Sequence, residues 1–212
     1  MKRLALIGTK EFSEQIIHFA ERTGEYEFVG YFDDLAEKGT IINDRPVFGK
    51  VEEAINLYEK DVFDCIFIGI GYTRFDLREY YYNLLKGKVP FATIKDPTAE
   101  IGRDVRLGEG IYIGRNAIID DETIIEDNVF IHRNNMVGHN SIVHKHSYLS
   151  GLDHMAGFCE IGERTFIGLS VCVADHIKIA DDVWIGIGCI VAKNIKKPGK
   201  YMTESVLLTK IG

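Results

Sequence analysis

Proline is scarce in this chain, with 4 in 212 residues, and tryptophan occurs once. No apolar run approaches the roughly eighteen residues of a membrane-spanning helix, so no such span is expected. Positive charge is also in short supply. Lys and Arg number 25 against 32 Asp and Glu, a net charge of -7. A protein that neutralises nucleic-acid phosphates is usually basic, so nucleic acid is not an expected partner. The opening MKRLALIGTKEF carries two positive charges, but its apolar run, Leu4 to Ile7, stops after four residues. A signal peptide needs a longer one. The four cysteines are Cys65, Cys159, Cys172 and Cys189. They form no CxxC and match no zinc spacing, so they read as buried thiols in a reducing cytoplasm. What remains, 46% hydrophobic and 27% charged residues, suits a soluble globular protein.

The second half carries a hidden repeat. Every sixth residue from Ile101 to Val191 is aliphatic, sixteen positions without a break: Ile101, Leu107, Ile113, Ile119, Ile125, Ile131, Val137, Val143, Leu149, Met155, Ile161, Ile167, Val173, Ile179, Ile185 and Val191. Several are followed by glycine, as at Gly102, Gly138 and Gly168. A period of six fits neither the 3.6 residues of an α-helix nor the alternation of a strand. It fits a triangular solenoid in which each hexad is one short strand and a corner. Three hexads close a coil, so each aliphatic side chain stacks on its equivalent one coil later. The residues four places on, such as Thr123, Ser141, Ser147, Cys159 and Thr165, also face inward. The fold expected for residues 97–212 is therefore a left-handed parallel β-helix of hexapeptide repeats, with no loop leaving it between 101 and 196.

Residues 1–96 read as an α/β Rossmann-like domain. Apolar strands are expected over Lys2 to Ile7, Phe28 to Phe32, Phe63 to Ile70 and Phe91 to Ile94. Helices are expected after Lys10, over Glu52 to Lys60 and over Arg74 to Leu85. The dinucleotide fingerprint is absent, since only Gly8 of G-x-G-x-x-G stands in place. Gly8, Asp33, Asp34 and Gly71 nevertheless fall at carboxyl ends of strands, where open α/β sheets bind ligands.

The combination resembles the hexapeptide sugar-nucleotide N-acetyltransferases of the sialic-acid O-acetyltransferase-like, bacillosamine-type family. The resemblance covers the whole chain and rests on L-I-G-T at 6–9, Y-F-D-D at 31–34, F-I-G-I-G-Y at 67–72, V-G-H-N at 137–140, A-G-F-C-E-I-G at 156–162, F-I-G at 166–168 and W-I-G-I-G at 184–188. It implies a homotrimer with active sites between subunits, acetyl-CoA as cosubstrate and no metal. It implies a UDP- or dTDP-linked 4-amino-4,6-dideoxy sugar as acceptor, in surface glycan synthesis. His139 matches the general base, with Asn140 beside it. Gly8, Thr9, Lys10, Asp33, Asp34, Gly71 and Tyr72 match the nucleotide-sugar contacts. Tyr148, Gly157, Leu169 and Ile187 match the CoA contacts. Three departures stand out. Tyr148 stands where the family has a CoA-contacting histidine. Asn140 occupies a position where the family often has an acidic residue, and the tail KYMTESVLLTKIG lacks the usual G-x-P-A ending.

A neutral histidine with a pKa near 7 suits removal of a proton from a sugar ammonium. Backbone N–H groups near Gly157 could then stabilise the oxyanion. Three other readings stay open. A sugar hydroxyl could replace the amine. A γ-carbonic-anhydrase-type metal site could use His139 and His144, with His132, His146 or His154 completing it. A nucleotide-sugar sensor would keep the first module and lose acetyl transfer. Tyr80, Tyr81 and Tyr82 read as packing, and Trp184, Ile118, Ile124, Phe130 and Phe166 as surface covered by a neighbouring copy.

Overall fold

The six-residue period becomes a shaft with a triangular section. The structure is a computed structural model that describes residues 1–203. Two-residue strands such as Ile118–Ile119, Ile124–Ile125 and Phe130–Ile131 recur every six residues and pair in parallel with their equivalents one coil away. Three parallel sheets result, of six, five and seven strands. We call them face A, which holds Ile118 and Met136, face B, which holds Ile124 and Ile142, and face C, which holds Phe130 and Tyr148. The hexad aliphatics form one continuous core from Ile113 to Val191. Leu107, near the open lower end, is 37% exposed.

Each corner needs one residue in the left-handed region. Non-glycine residues fill it at regular spacing, among them Asn116, Asn128, Asn134 and Asn140, all with φ between 53° and 56°. Asparagine tolerates this region better than most side chains. The glycines that follow several of the aliphatics serve a different need. At Gly138 an added Cβ would lie 2.6 Å from the Ala156 carbonyl carbon, because the next coil's backbone passes directly over it.

The first module is a sheet of β1 (Lys2–Ile7), β2 (Tyr26–Phe32), β3 (Ile41–Ile42), β4 (Arg45–Gly49) and β5 (Cys65–Ile68), in the order β3-β4-β2-β1-β5. Helices α1 (Glu11–Arg22), α2 (Ala54–Glu59) and α3 (Phe75–Leu85) complete it. The hairpin β3–β4 was not expected. It turns on Asn43 and Asp44, both at positive φ, the conformation of a tight type I′ turn. The strand expected over Phe91 to Ile94 is also corrected. Phe91 makes a single bridge to Ile66, and Ile94–Lys95 instead pairs with Tyr112–Ile113 of the shaft.

The module sits on face C. Tyr112, Phe130, Tyr148, Phe166 and Trp184 recur every eighteen residues there and stack as a ladder, with Phe166 and Trp184 4.0 Å apart. The first four rings share one apolar cluster with Leu4, Leu6 and Ile16. Phe130 and Phe166 are therefore covered within the chain, while Trp184 stays half-buried at the groove beside the module. A single buried guanidinium pins the junction. Arg78 donates to the Ile70 carbonyl, the Asn128 carbonyl and Asn128 Oδ1, and lies 4.6 Å from the Phe130 ring centre. Burial lowers its pKa to about 10. Cys65, Cys159 and Cys189 are buried, but Cys172 is exposed, because it precedes the inward Val173 and so points out of face A.

Candidate functional site

At the strand ends of the first module, Gly8 takes a φ of 102°. Ser13 Oγ, buried beneath, donates to the Gly8 carbonyl and lies 3.3 Å from the Gly69 carbonyl, which ties the loops after β1 and β5 together. Thr9 Oγ1 donates to Asp33 Oδ2 at 2.7 Å, while Asp33 Oδ1 accepts from the Leu35 N–H. Asp34 accepts from the Val51 N–H and from the Tyr81 hydroxyl. Tyr81 thus does more than pack, since it fixes a carboxylate at the crevice. Tyr82 instead donates to Glu109 of the shaft, and Tyr80 is exposed. Lys10 is exposed at the rim, and a Cβ added at Gly71 would meet nothing within 4 Å.

Tyr72 leaves this crevice for the shaft. Its ring lies 4.7 Å from Phe166, 5.3 Å from Tyr148 and 5.6 Å from Trp184. Beside it a groove of about 450 Å³ runs along the corner between faces C and A. Tyr148, Leu169 and Ile187 line it together with Arg133 and Ser150. Leu169 and Ile187 are exposed, at 48% and 64%, although aliphatic.

His139 lies on another edge, the corner between faces A and B. Its ring covers Gly157 of the next coil so closely that a Cβ there would stand 2.8 Å from Nε2. Phe158 meets it edge-on at 5.0 Å and stacks on His176 at 4.7 Å. His139 Nδ1 is 3.0 Å from Asn140 Oδ1, and Asn140 Nδ2 donates to Glu122 Oε2 at 2.6 Å. Among the described residues, Nε2 and the Gly157 N–H have no hydrogen-bond partner. Asp121 lies close by, held below the usual carboxylate range by its hydrogen bonds to Arg103. Glu122 was missed from the sequence. It stands eighteen residues before Asn140, one coil earlier, so the repeat itself carried the signal.

The expected CoA contacts therefore divide, with Gly157 on the His139 edge and Tyr148, Leu169 and Ile187 along the other. The corner between faces A and B is opposite face C, where the module sits. One chain does not bring His139 to its own strand-end crevice.

The histidines also divide. His146 is buried with Nδ1 2.9 Å from Asn128 Nδ2, and burial lowers its pKa to about 4. Burial and Arg133 lower His132 to about 4. These two are covered by the module rather than solvated. His144 lies between Glu126 and Glu160. Among the described residues no three His, Cys, Asp or Glu side chains converge as a metal cage. No helix among them is long and apolar enough to cross a membrane.

Residues 3–83 match the family model of the PglD N-terminal domain. No curated protein sequence is significantly similar to the chain. Among solved structures, the acetyltransferase domain of PglB from Neisseria gonorrhoeae has a TM-score of 0.83 at 22% identity, covering 96% of this chain and 97% of that one. PerB from Caulobacter crescentus, in complex with CoA and GDP-perosamine, has a TM-score of 0.82 at 21% identity, covering 96% and 95%. WeeI from Acinetobacter baumannii has a TM-score of 0.76 at 17% identity, covering 92% and 93%. The α/β module followed by a left-handed β-helix is thus a fold shared with all three over at least 92% of this chain.

Proposed function

We propose that the chain is an acetyl-CoA-dependent N-acetyltransferase acting on a nucleotide-linked 4-amino-4,6-dideoxy sugar, with residues 1–96 holding the nucleotide sugar and residues 97–212 performing the transfer. The tail from 204 to 212, whose sequence departs from the family ending, lies outside the described residues. One observation carries the reading. Among the described residues, His139 presents a free Nε2 on an exposed corner beside an unpaired backbone N–H at Gly157. A base and an oxyanion donor side by side are what acyl transfer to an amine needs.

The chemistry is direct attack. Nε2 first takes a proton from the sugar ammonium, and the freed amine attacks the thioester carbonyl. The Gly157 N–H supports the tetrahedral oxyanion. The intermediate then collapses, the C–S bond breaks, the nitrogen gives up its second proton to solvent, and the proton on Nε2 leaves with the CoA thiolate. No cysteine is needed as nucleophile. Cys159, the nearest in sequence, is buried in the shaft with its thiol directed at the Gly157 and Ala174 carbonyls, and burial raises its pKa.

The site is completed by a second copy. Face A carries exposed Ile118, Met136, Cys172 and Ile190 between its two corners. Burying that face about a threefold axis would bring the His139 edge of one copy to the Leu169–Ile187 groove and the module of the next. We therefore propose a homotrimer. The pantetheine arm would run along the exposed Leu169 and Ile187 past the neighbour's Gly157. The sugar would reach from the Thr9–Asp33 crevice toward His139.

The base of the nucleotide is the finer question. GDP-perosamine is bound in PerB, so GDP joins UDP and dTDP in the test. Thiol release from acetyl-CoA is measured with each 4-amino sugar and with matched 4-hydroxy sugars, for the wild type and His139→Ala. Release with one amino sugar, lost in the variant, is the expected result. Release with the hydroxy sugars alone would make the enzyme an O-acetyltransferase. No release with any acceptor would overturn the reading.

A further inference from the structure

We propose that Glu122 is a positioning residue that acts on His139 through the side-chain amide of Asn140, and that it selects the catalytically competent tautomer. The proposal deepens the reading of His139 as general base and rests on it.

An amide has one accepting and one donating end. A carboxylate only accepts, so Glu122 Oε2, 2.6 Å away, requires the Asn140 NH₂ to face it. The carbonyl end of Asn140 must then face His139 Nδ1 at 3.0 Å. Because that oxygen only accepts, Nδ1 must carry the hydrogen. The lone pair is left on Nε2, the nitrogen over Gly157 that has no hydrogen-bond partner among the described residues. Without Glu122, the amide could rotate and donate to Nδ1. That orientation puts the hydrogen on Nε2, where it can take nothing from an ammonium. When Nε2 gains its proton, the positive ring strengthens its bond to the Asn140 carbonyl, and the carboxylate beyond polarises the same amide in the favourable sense. The anion thus assists from one coil away.

The backbone supports this arrangement. Asn140 and Glu122 both occupy left-handed corner positions, with φ of 54° and 58°. The Asn140 N–H bonds to the Asp121 carbonyl, so the two corners are stacked in register. Other charges face the ring. Asp121 is nearby, but its carboxylate is taken by the Arg103 guanidinium and backbone N–H. His176 and its neighbour Asp175 lie beyond Phe158. Glu122 is the only carboxylate among the described residues hydrogen-bonded to Asn140.

The test is imidazole nitrogen NMR on the full chain with labelled histidine, assigned by loss of the His139 signal in His139→Gln. The wild type is expected as the Nδ1–H tautomer. Glu122→Ala is expected to move His139 toward Nε2–H and to lower kcat by roughly tenfold or more, with KM little changed. The double variant Asn140→Asp/Glu122→Gln exchanges the charge and the amide and should restore both tautomer and kcat. An Nδ1–H tautomer persisting in Glu122→Ala would overturn the proposal. So would a loss of activity that the double variant fails to restore while its tautomer is correct. The tautomer is read without substrate. If the wild type released no thiol at all, the functional reading would fail while the relay would still be decided.

Discussion

At the scale of single residues, the shaft interior holds one group the reaction does not use. Asp153 is buried, with Oδ1 accepting from the Val171 N–H and Oδ2 unpaired among the described residues. Burial raises its pKa from 3.8 to about 8. The folded protein therefore keeps a proton there that the unfolded chain has lost, and stability falls as pH rises from 3.8 toward 8. His132 and His146 act oppositely. Their folded pKa values of about 4 lie below the ordinary 6.5, so the unfolded chain binds the extra protons and stability falls as pH drops from 6.5 toward 4. Two imidazoles outweigh one carboxyl below 6.5, and the carboxyl acts alone above it. We expect maximal thermal stability near pH 6.5. Asp153→Asn should flatten the decline between pH 6.5 and 8. Melting curves of wild type and variant across pH check this, and an equal alkaline decline in both would refute it. Asp153 and its neighbour Asn135 occupy inward positions of the hexad register. The sequence reading passed over both because they are polar, although the register alone marked them as interior.

At the scale of elements, two corner glycines separate fold from function. A Cβ at Gly138 would press on the Ala156 and Gly157 backbone at 2.6–2.7 Å, and backbone in a stacked coil cannot give way. Gly138→Ala should cost about 1–3 kcal/mol of stability by overpacking. A Cβ at Gly157 presses on the His139 ring, the end of a movable side chain. Gly157→Ala should leave stability within about 0.5 kcal/mol of wild type and lower kcat by displacing the base. Denaturation midpoints and thiol-release rates distinguish the two, and equal destabilisation of both would contradict the packing argument. The same elements mark what could be read in advance. The shaft was legible because one inward residue per hexad repeats through every coil, and the period fixes the face of every side chain. The hairpin β3–β4 was not, because two-residue and five-residue strands carry too little pattern, and the Asn43-Asp44 turn was its only signal. Ile94–Lys95 was misassigned because an apolar run does not reveal which sheet it joins. The positions of His139, Thr9 and Asp33 followed from local motifs. The Glu122 contact and the opposition of His139 to its own module needed the coils to be stacked.

At the scale of the whole molecule, the aromatic ladder and Arg78 fix the module to face C, and the triangular section sets His139 on the opposite edge. Face A leaves Ile118, Met136 and Ile190 exposed in the single chain. The central claim is that acetyl transfer needs His139 from one copy and the strand-end crevice from another. Complementation between inactive subunits tests it most directly. His139→Ala removes the base. Gly71→Phe places a ring at the crevice mouth, where the added Cβ itself meets no protein atom within 4 Å, so the backbone should be spared. Each variant alone should release almost no thiol with the amino-sugar acceptor. Co-expressed with different tags and purified through both, the mixed assembly should regain a substantial fraction of wild-type activity. A mixed assembly no more active than its parents, beside an active wild type, would contradict a site shared between copies.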